Sequence, residues 1–335
     1  MKLLVTGGAG FIGSNLIRYF LKEYEDVEVI NLDLLTYAGN LDNLEGLESE
    51  PRYRFVHGDI CDASVVLDLV PEVDAVLHLA AESHVDRSIA HDTPFVQTNV
   101  NGTHTLLSAA LAASNSPRFV HVSTDEVYGE LPWRDPTEAE GAAERFTEST
   151  PLAPRSPYSA TKASGDMLAL AYHRTHGLDV VVTRCSNNYG PYQFPEKLIP
   201  LMVSNAMKGE PLPVYGDGLN VRDWIHVRDH CRGLDAALRE GRAGEVYNFG
   251  GDAERTNLQI VKAILEQTGA DPGLLTFVED RLGHDRRYAV DATKAKEELA
   301  WGPLVAFEQG LAETIEWYGE NQQWLGRIET GAYRG

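Results

Sequence analysis

Cysteine is scarce in this chain, with three in 335 residues. Cys61, Cys185 and Cys231 are odd in number, widely spaced and in no C-x-x-C pair. That pattern argues against a disulfide framework and against a zinc site, so no metal is expected. Positive charge is also short, with 29 Lys and Arg against 50 Asp and Glu and a net charge of −21 at pH 7. So acidic a balance repels phosphate backbones and argues against extended nucleic-acid or anionic-membrane binding. Any phosphate-bearing ligand must then be met by local donors. No apolar run approaches membrane-spanning length, and Met1-Lys2 leads straight into a strand pattern, with no basic n-region, apolar h-region or cleavage site. Internal repeats and low-complexity segments are absent. The cytoplasm is the expected compartment.

The length fits one two-lobed domain or two coupled domains, and an apolar share of 43 % supports a sizeable core. Leu3-Leu4-Val5-Thr6 reads as a buried strand, followed by Gly7-Gly8-Ala9-Gly10-Phe11-Ile12-Gly13 and then Leu16, Ile17, Phe20 and Leu21 at helical spacing. Glycines at 8, 10 and 13 satisfy G-x-G-x-x-G, and those at 7, 10 and 13 the related G-x-x-G-x-x-G. Such glycines allow a tight turn and close approach of backbone to a pyrophosphate, and the helix N-terminus offers its free N–H groups. A glycine pattern alone is weak evidence, and a structural turn is the competing reading. The strand Val27 to Leu32 ends at Asp33, about twenty residues past Gly13. A carboxylate there accepts hydrogen bonds from an adenosine ribose diol and repels a 2′-phosphate, which favours NAD over NADP.

Arg54 to Ile60 reads as a third strand, with Asp59 at its end near the adenine, and Val73 to Ala81 as a fourth. Strands alternating with helices predict a doubly wound parallel sheet, the Rossmann arrangement. After the fourth strand, Ser83 is a candidate contact for cofactor or substrate, whereas His84 and Asp86 read as a solvated turn. Thr98 to Thr103 opens a helix through Leu106, Leu107 and Leu111. The apolar run Arg118 to Val122 reads as a fifth strand ending in Ser123-Thr124-Asp125-Glu126-Val127-Tyr128-Gly129. A hydroxyl and two adjacent carboxylates at a strand's carboxyl end are a candidate acid/base apparatus. They are equally an acidic cap for the next turn, since Ser, Thr and Asp are preferred N-caps.

The Glu-rich stretch from Glu130 to Thr150, with Pro132 and Pro136, reads as a mobile or interface loop. Tyr158 and Lys162 follow, four apart and hence on one helical face, with Met167, Leu168, Ala171 and Tyr172 read as that helix's apolar side. An ammonium beside a phenol favours phenolate and is expected to lower the tyrosine pKa, making Tyr158 a base for an alcohol proton. A sixth strand, Asp179 to Arg184, closes the NAD-binding domain over 1–184, to which a segment near 220–250 returns. Residues 185–335 mainly form a smaller substrate lobe. Thr256-Asn257 carries N-cap chemistry before Leu258 and Ile260. Lys197, Arg222, Arg281 and the Arg286-Arg287 pair are the candidate counter-charges for a diphosphate, each equally a salt-bridge partner.

The glycine segment Thr6 to Gly13, Asp33, Leu79-Ala80-Ala81, Ser123 to Gly129, Tyr158 with Lys162, Asn187-Asn188-Tyr189-Gly190-Pro191 and Arg222-Asp223-Trp224 together resemble the extended short-chain dehydrogenase/reductases. The resemblance covers nearly all of the chain, including Leu35 to Leu41 and Gly283 to Tyr288. Asp125-Glu126 narrows it to the nucleotide-sugar 4,6-dehydratases, because sugar-nucleotide 4-epimerases, the alternative, generally have no such carboxylate pair. It implies a lyase acting on a nucleoside-diphosphate sugar, with tightly bound NAD recycled each turnover and a homodimer paired through the helices after Thr98 and Tyr158. The catalytic group it implies is Thr124, Asp125, Glu126, Tyr158 and Lys162. NAD would be held by Gly7, Gly10, Phe11, Ile12, Gly13, Asp33, Leu34, Thr36, Asp59, Ile60, Leu79, Ala81, Ser83, Thr98, Tyr158, Lys162 and Asn188. The sugar nucleotide would meet Ser83, Thr124, Asn187, Lys197, Leu198, Pro213, Tyr215, Arg222, Asn257, Arg281 and His284.

Overall fold

Continuous apolar runs, such as Leu3-Leu4-Val5 and Val180-Val181-Val182, suit strands covered on both faces. In the computed structural model, which describes residues 1–135, 144–280 and 284–334, they form a sheet of 7 strands. The chain runs β1 (Lys2–Thr6), α1 (Phe11–Glu23), β2 (Glu28–Asp33), β3 (Tyr53–His57), α2 (Ala63–Leu69) and β4 (Ala75–His78). A helical run follows: α3 (Val85–Ala90), α4 (Thr93–Phe95), a π-helical stretch (Val96–Gly102) and α5 (Thr103–Ala112). Then come β5 (Arg118–Thr124), α6 (Pro157–His176) and β6 (Val180–Cys185).

The second lobe uses β7 (Asn187–Tyr189), α7 (Leu198–Lys208), β8 (Leu212–Tyr215) and β9 (Val221–His226). The chain then passes through α8 (Val227–Glu240) and β10 (Val246–Phe249). It ends with β11 (Glu254–Thr256), α9 (Asn257–Thr268), β12 (Leu275–Val278), α10 (Thr293–Leu299), α11 (Phe307–Glu320) and α12 (Gln322–Glu329).

The large sheet has the order β10-β6-β5-β4-β1-β2-β3, all parallel. Strand order reverses between β1 and β4, which opens a crevice at the carboxyl ends of those two strands. On one face, Leu16, Ile17 and Phe20 of α1 pack with Cys231, Leu234 and Leu238 of α8. On the other, Leu106, Leu107 and Ala110 of α5 pack with Ala169 of α6. Each Leu, Ile or Phe so buried contributes about 1.5–3 kcal/mol. Residues 227–249 thus return to the large sheet, while β11-β9-β7 and β12-β8 form two small sheets. Those rest on a separate core of Met202, Val203, Ile260, Ile264, Leu311 and Tyr318. Thr256 caps α9 in a reciprocal pair with Gln259, as its sequence position suggested.

Three local readings change. The fourth strand stops at His78, not Ala81: Ala80 leaves the ladder to donate its N–H to Thr6 Oγ1 at 3.2 Å. β3 stops at His57, so Asp59 sits in the loop beyond it. The helix expected from Thr98 begins earlier, and its π-helical turn places Asn99 to clasp the Glu82 backbone, accepting from its N–H at 2.9 Å and donating to its carbonyl at 3.0 Å. Such turns insert a residue into a helix to aim a particular side chain. Residues 136–143 of the expected loop, Pro136 among them, lie outside the described residues.

Candidate active site

The Ser123 to Gly129 stretch is a cap, and it also lines the cleft. Thr124 ends β5 in an extended conformation and caps a short 3₁₀ turn over Asp125–Tyr128, its Oγ1 accepting from the Glu126 N–H at 3.3 Å. The cap turns Asp125 inward until it is 2 % exposed, while Glu126 stays half-buried at the cleft. One carboxylate oxygen of Asp125, Oδ2, has no hydrogen-bond partner. Burial pushes the Asp125 carboxyl well above its usual range, and the charges of Glu126 and Asp223 push the same way. Burial thus favours the protonated form of Asp125, while its neighbour Glu126 sits in a wetter setting, so the two adjacent carboxyls occupy different environments.

Opposite this turn, α6 starts immediately before the residues that matter. Ser156 and Ser159 form a reciprocal cap and Pro157 occupies the first turn, which sets Tyr158 at the helix mouth. Tyr158 and Lys162 are both buried. Met167, expected on the apolar side, is 57 % exposed, and the buried face carries Tyr158, Thr161, Lys162, Gly165, Asp166 and Ala169 instead. The inward stripe follows the i, i+4 row of the polar residues, because these have buried partners.

Lys162 donates to the Val122 carbonyl at 2.8 Å. Asp166 accepts from Arg184 Nε at 2.8 Å and lies 3.3 Å from His121 Nε2, with His121 and Asp166 fully buried. Burial lowers Lys162 to about 8, and Asp166 limits the fall. The expected lowering of Tyr158 is not seen. Burial pushes its phenol well above the usual range, and the Glu126 charge adds to that; a hydrogen bond from Thr124 works in the opposite direction. A phenolate in a dry site loses the hydration that stabilises it in water.

The glycine turn fits a dinucleotide. A Cβ on Gly7 would come within 2.7 Å of the Ala80 nitrogen, and one on Gly13 within 2.2 Å of the Gly7 carbonyl oxygen. The α1 N-terminus has neither a side-chain cap nor an acidic residue in its first turn, which leaves its N–H groups to an anion. Asp33 accepts from the Ala9 N–H at 2.9 Å and the Leu35 N–H at 2.8 Å, which fixes its carboxylate at the end of β2. His230, pushed down to about 3 by burial, is neutral and donates from Nδ1 to Asn188 Oδ1 at 2.9 Å, so the Asn188 amide is oriented too.

One cleft joins these parts. Its wall includes all of the expected NAD contacts: Gly7, Gly10, Phe11, Ile12, Gly13, Asp33, Leu34, Thr36, Asp59, Ile60, Leu79, Ala81, Ser83, Thr98, Tyr158, Lys162 and Asn188. Thr124, Asp125, Glu126, Asn187 and Lys197 line it as well. Asn187 Oδ1 is buried without a partner, and Lys197 donates to the Ser83 carbonyl at 3.2 Å.

The other expected substrate contacts are off this wall. Leu198 opens α7, Pro213 and Tyr215 are on β8, Arg222 is on β9 and Asn257 opens α9. His284 pairs with Asp280 at 2.7 Å, its ring 6.4 Å from that of Tyr215. Arg281 lies outside the described residues. Arg222 lies over the Tyr288 ring at 4.4 Å and its charge is felt at Asp125, which brings β9 to the carboxylate pair. Arg286 and Arg287 are committed elsewhere, Arg286 to both Asp217 oxygens at 3.0 and 3.1 Å and the buried Arg287 to Glu254 at 2.8 Å.

Sequence reasoning missed Gln193, Phe194 and Glu196 in the wall, and read His84 as solvated. His84 caps α3 and reaches Glu196 at 3.5 Å, so the segment after β4 bridges the two lobes. The adjacent Lys197 was the only local signal for Glu196.

The sequence model of the GDP-mannose 4,6 dehydratase family matches residues 4–314. A dTDP-glucose 4,6-dehydratase of Streptomyces niveus is 54 % identical over 97 % of this chain and 94 % of its own length. One from Salmonella typhimurium is 50 % identical over 100 % of this chain and 97 % of its own. The crystal structure of the Streptomyces venezuelae dTDP-glucose 4,6-dehydratase DesIV, with NAD bound, superimposes with a TM-score of 0.92 at 54 % identity, covering 98 % of this chain and 100 % of that one. The UDP-glucose 4-epimerase of Thermotoga maritima shares the fold at a TM-score of 0.86 but only 31 % identity, over 96 % of this chain and 100 % of its own. The fold is thus common to dehydratases and epimerases, and the chain belongs to the GDP-mannose 4,6 dehydratase family, with dTDP-glucose 4,6-dehydratases among its relatives.

Proposed function

We propose that this protein is an NAD-dependent hydro-lyase, a dTDP-glucose 4,6-dehydratase, which converts dTDP-glucose to dTDP-4-keto-6-deoxyglucose and water. The observation that carries the reading is the Asp125-Glu126 pair at the end of β5, one carboxyl buried where desolvation favours its neutral form, the other half-buried, both lining the cleft with Tyr158. Hydride transfer alone needs a tyrosine and a hydroxyl; elimination of water needs an acid and a base as well.

NAD, when bound, supplies a hydride acceptor for the sugar C4 and returns that hydride to C6, so no net redox change accompanies the loss of water. The glycine turn, the α1 N-terminus and Asp33 hold it. Tyr158, as a phenolate, takes the C4 hydroxyl proton, and Thr124 donates a hydrogen bond to the same phenolic oxygen; burial opposes that phenolate in the cofactor-free chain, so the positive charges of bound NAD and Lys162 have to offset the cost. Lys162, with its ammonium tied to Val122, keeps positive charge beneath the site. A 4-keto group acidifies C5–H, and Glu126 removes that proton. Asp125 gives its proton to the C6 hydroxyl, which leaves as water, and Glu126 later returns a proton to C5. Asn187, Lys197 and Arg222 are the groups that meet the diphosphate end.

The apolar side chains of Leu111 on α5 and Met167 on α6 are 41 % and 57 % exposed on neighbouring helices, and we assign that face to a two-fold homodimer. Sedimentation showing only monomer would reject this pairing. Three unpaired thiols among the described residues suit a reducing compartment, the cytoplasm.

Incubation of the purified protein with dTDP-glucose tests the main reading. A product lighter by one water and carrying a 4-keto group supports it, whereas a product of unchanged mass indicates an epimerase. No reaction with dTDP-glucose, but water loss from a UDP-, CDP- or GDP-sugar, would move the assignment to another nucleotide.

A further inference from the structure

The glycine turn is gripped from an unexpected direction. Trp324, on α12 and 281 positions from its partner, donates its indole N–H to Asn43 Oδ1 at 2.8 Å. Trp324 is 8 % exposed and Asn43 is 2 % exposed. The other end of the same amide donates from Nδ2 to the Ala9 carbonyl at 2.9 Å. Ala9 sits inside the glycine turn between Gly8 and Gly10. Its carbonyl also accepts from the Asn40 N–H at 3.0 Å, and its own N–H donates to Asp33. The Asn43 carbonyl in turn accepts from Arg18 of α1, from Nε at 3.0 Å and Nη2 at 2.9 Å. One buried asparagine, through its side-chain amide and its backbone carbonyl, thus joins the glycine turn, the first helix and the C-terminal helix.

Two further ties run from the C-terminal end to the same segment. Arg327 pairs with Asp42 at 2.6 Å, and the Tyr333 hydroxyl donates to the Tyr37 carbonyl. Tyr37, Ala38 and Gly39 are cleft wall, so residues 37–43 face the cofactor pocket at one end and α12 at the other.

We propose that Trp324 and Asn43 are positioning residues for the cofactor, holding the glycine turn in its NAD-receiving shape so that α12 governs how long NAD stays bound. A buried indole N–H needs an acceptor, and a buried amide that loses one partner reorients or remains unsatisfied. With Trp324 in place, the Asn43 amide has one orientation, its N–H₂ toward Ala9. The peptide between the glycines is then ordered before NAD arrives, and less freedom is lost on binding. The inference rests on NAD being the ligand of the cleft and adds a determinant outside the dinucleotide motif.

The test is exchange of bound NAD against labelled NAD in the purified full-length protein. Trp324→Phe keeps a ring in place but removes the donor, and should speed NAD release about five- to tenfold, the effect of one buried hydrogen bond. Trp317→Phe is the control: its ring packs on Trp324 at 5.1 Å in the same aromatic cluster. A general loosening of that cluster would speed release in both variants. Asn43→Ala should also speed release, and combining it with Trp324→Phe should add little, since both break one linkage. Should Trp324→Phe not fold, Tyr333→Phe, which cuts a peripheral tie, should speed release about two- to threefold. Unchanged release in the folded variants, or equal release in Trp324→Phe and Trp317→Phe, overturns the proposal while leaving the dehydratase reading intact. Wild-type protein that binds no NAD overturns both.

Discussion

Lys162 Nζ donates to the backbone carbonyl of Val122 at 2.8 Å, a bond that ties helix α6 to strand β5 just before the strand delivers Thr124 and Asp125. The tyrosine side of the cleft and the carboxylate side are therefore held in one register by a buried ammonium.

That ammonium should be visible in stability. Burial lowers Lys162 to about 8, below the ordinary lysine value of about 10.4, so the folded chain binds this proton less tightly than the unfolded one. Burying the charge opposes folding below about 8, and the penalty fades as pH rises from there toward the unfolded value. Wild-type protein should thus gain stability relative to Lys162→Met between pH 7.5 and 10, by at most on the order of 3 kcal/mol. Denaturant unfolding at both pH values measures it, and a flat difference would place the lysine proton elsewhere.

Tyr158→Phe should slow reduction of bound NAD by dTDP-glucose about 10²–10⁴-fold. Its ring can keep the edge contact with Phe95, whose centroid is 6.4 Å away, so the melting temperature should hardly move. Single-turnover absorbance of the reduced cofactor reports the first effect and calorimetry the second.

Glu126→Gln should separate the steps. C4 oxidation needs no base at C5, so reduced cofactor should accumulate on the protein while product forms about 10²–10⁴-fold more slowly. Full turnover in this variant would remove Glu126 from its role.

Asp125→Asn removes the proton donor to the leaving hydroxyl. Water loss should slow about 10²–10⁴-fold, and a substrate with a better leaving group at C6 should recover much of the rate. The raised Asp125 pKa also has a stability signature. A carboxyl that holds its proton more tightly when folded contributes fully below the unfolded value, and that contribution is lost as pH rises through the folded one. Asp125→Asn should therefore stabilise the cofactor-free protein more at pH 8 than at pH 5.5, read as a difference in melting temperature.

Asp166 is the counter-charge for Arg184 behind the cleft and lies 3.3 Å from His121, whose imidazole burial keeps toward the neutral form. Asp166→Ala leaves Arg184, whose side chain is 4 % exposed, without its carboxylate. Removing one partner of a buried pair costs about 3–5 kcal/mol. Chemical denaturation should show a loss of that order.

Much of the NAD half was legible locally, because its determinants are local. A glycine turn between an apolar strand and a helix, a carboxylate at the next strand end and a tyrosine one helical turn before a lysine are each set by a few adjacent residues. What failed were assignments that needed a neighbour from elsewhere. Met167 reads as core by type, yet polar Lys162 and Asp166 take the inward face because Val122, His121 and Arg184 await them. Arg286 and Arg287 read equally as phosphate ligands or salt-bridge partners, and only the fold shows Asp217 and Glu254 beside them.

The sequence by itself determined the parallel sheet, the dinucleotide turn and the presence of two carboxylates where hydride chemistry needs none, since strand and helix periods and turn residues act over short range. How readily those groups ionise depends on the tertiary packing. It buried Asp125 beside Glu126 and within reach of the Asp223 charge, dried Tyr158, brought Lys162 down to about 8 and carried Trp324 back to the glycine turn. Burial and charge depend on which distant segments meet, and no stretch of chain encodes that alone.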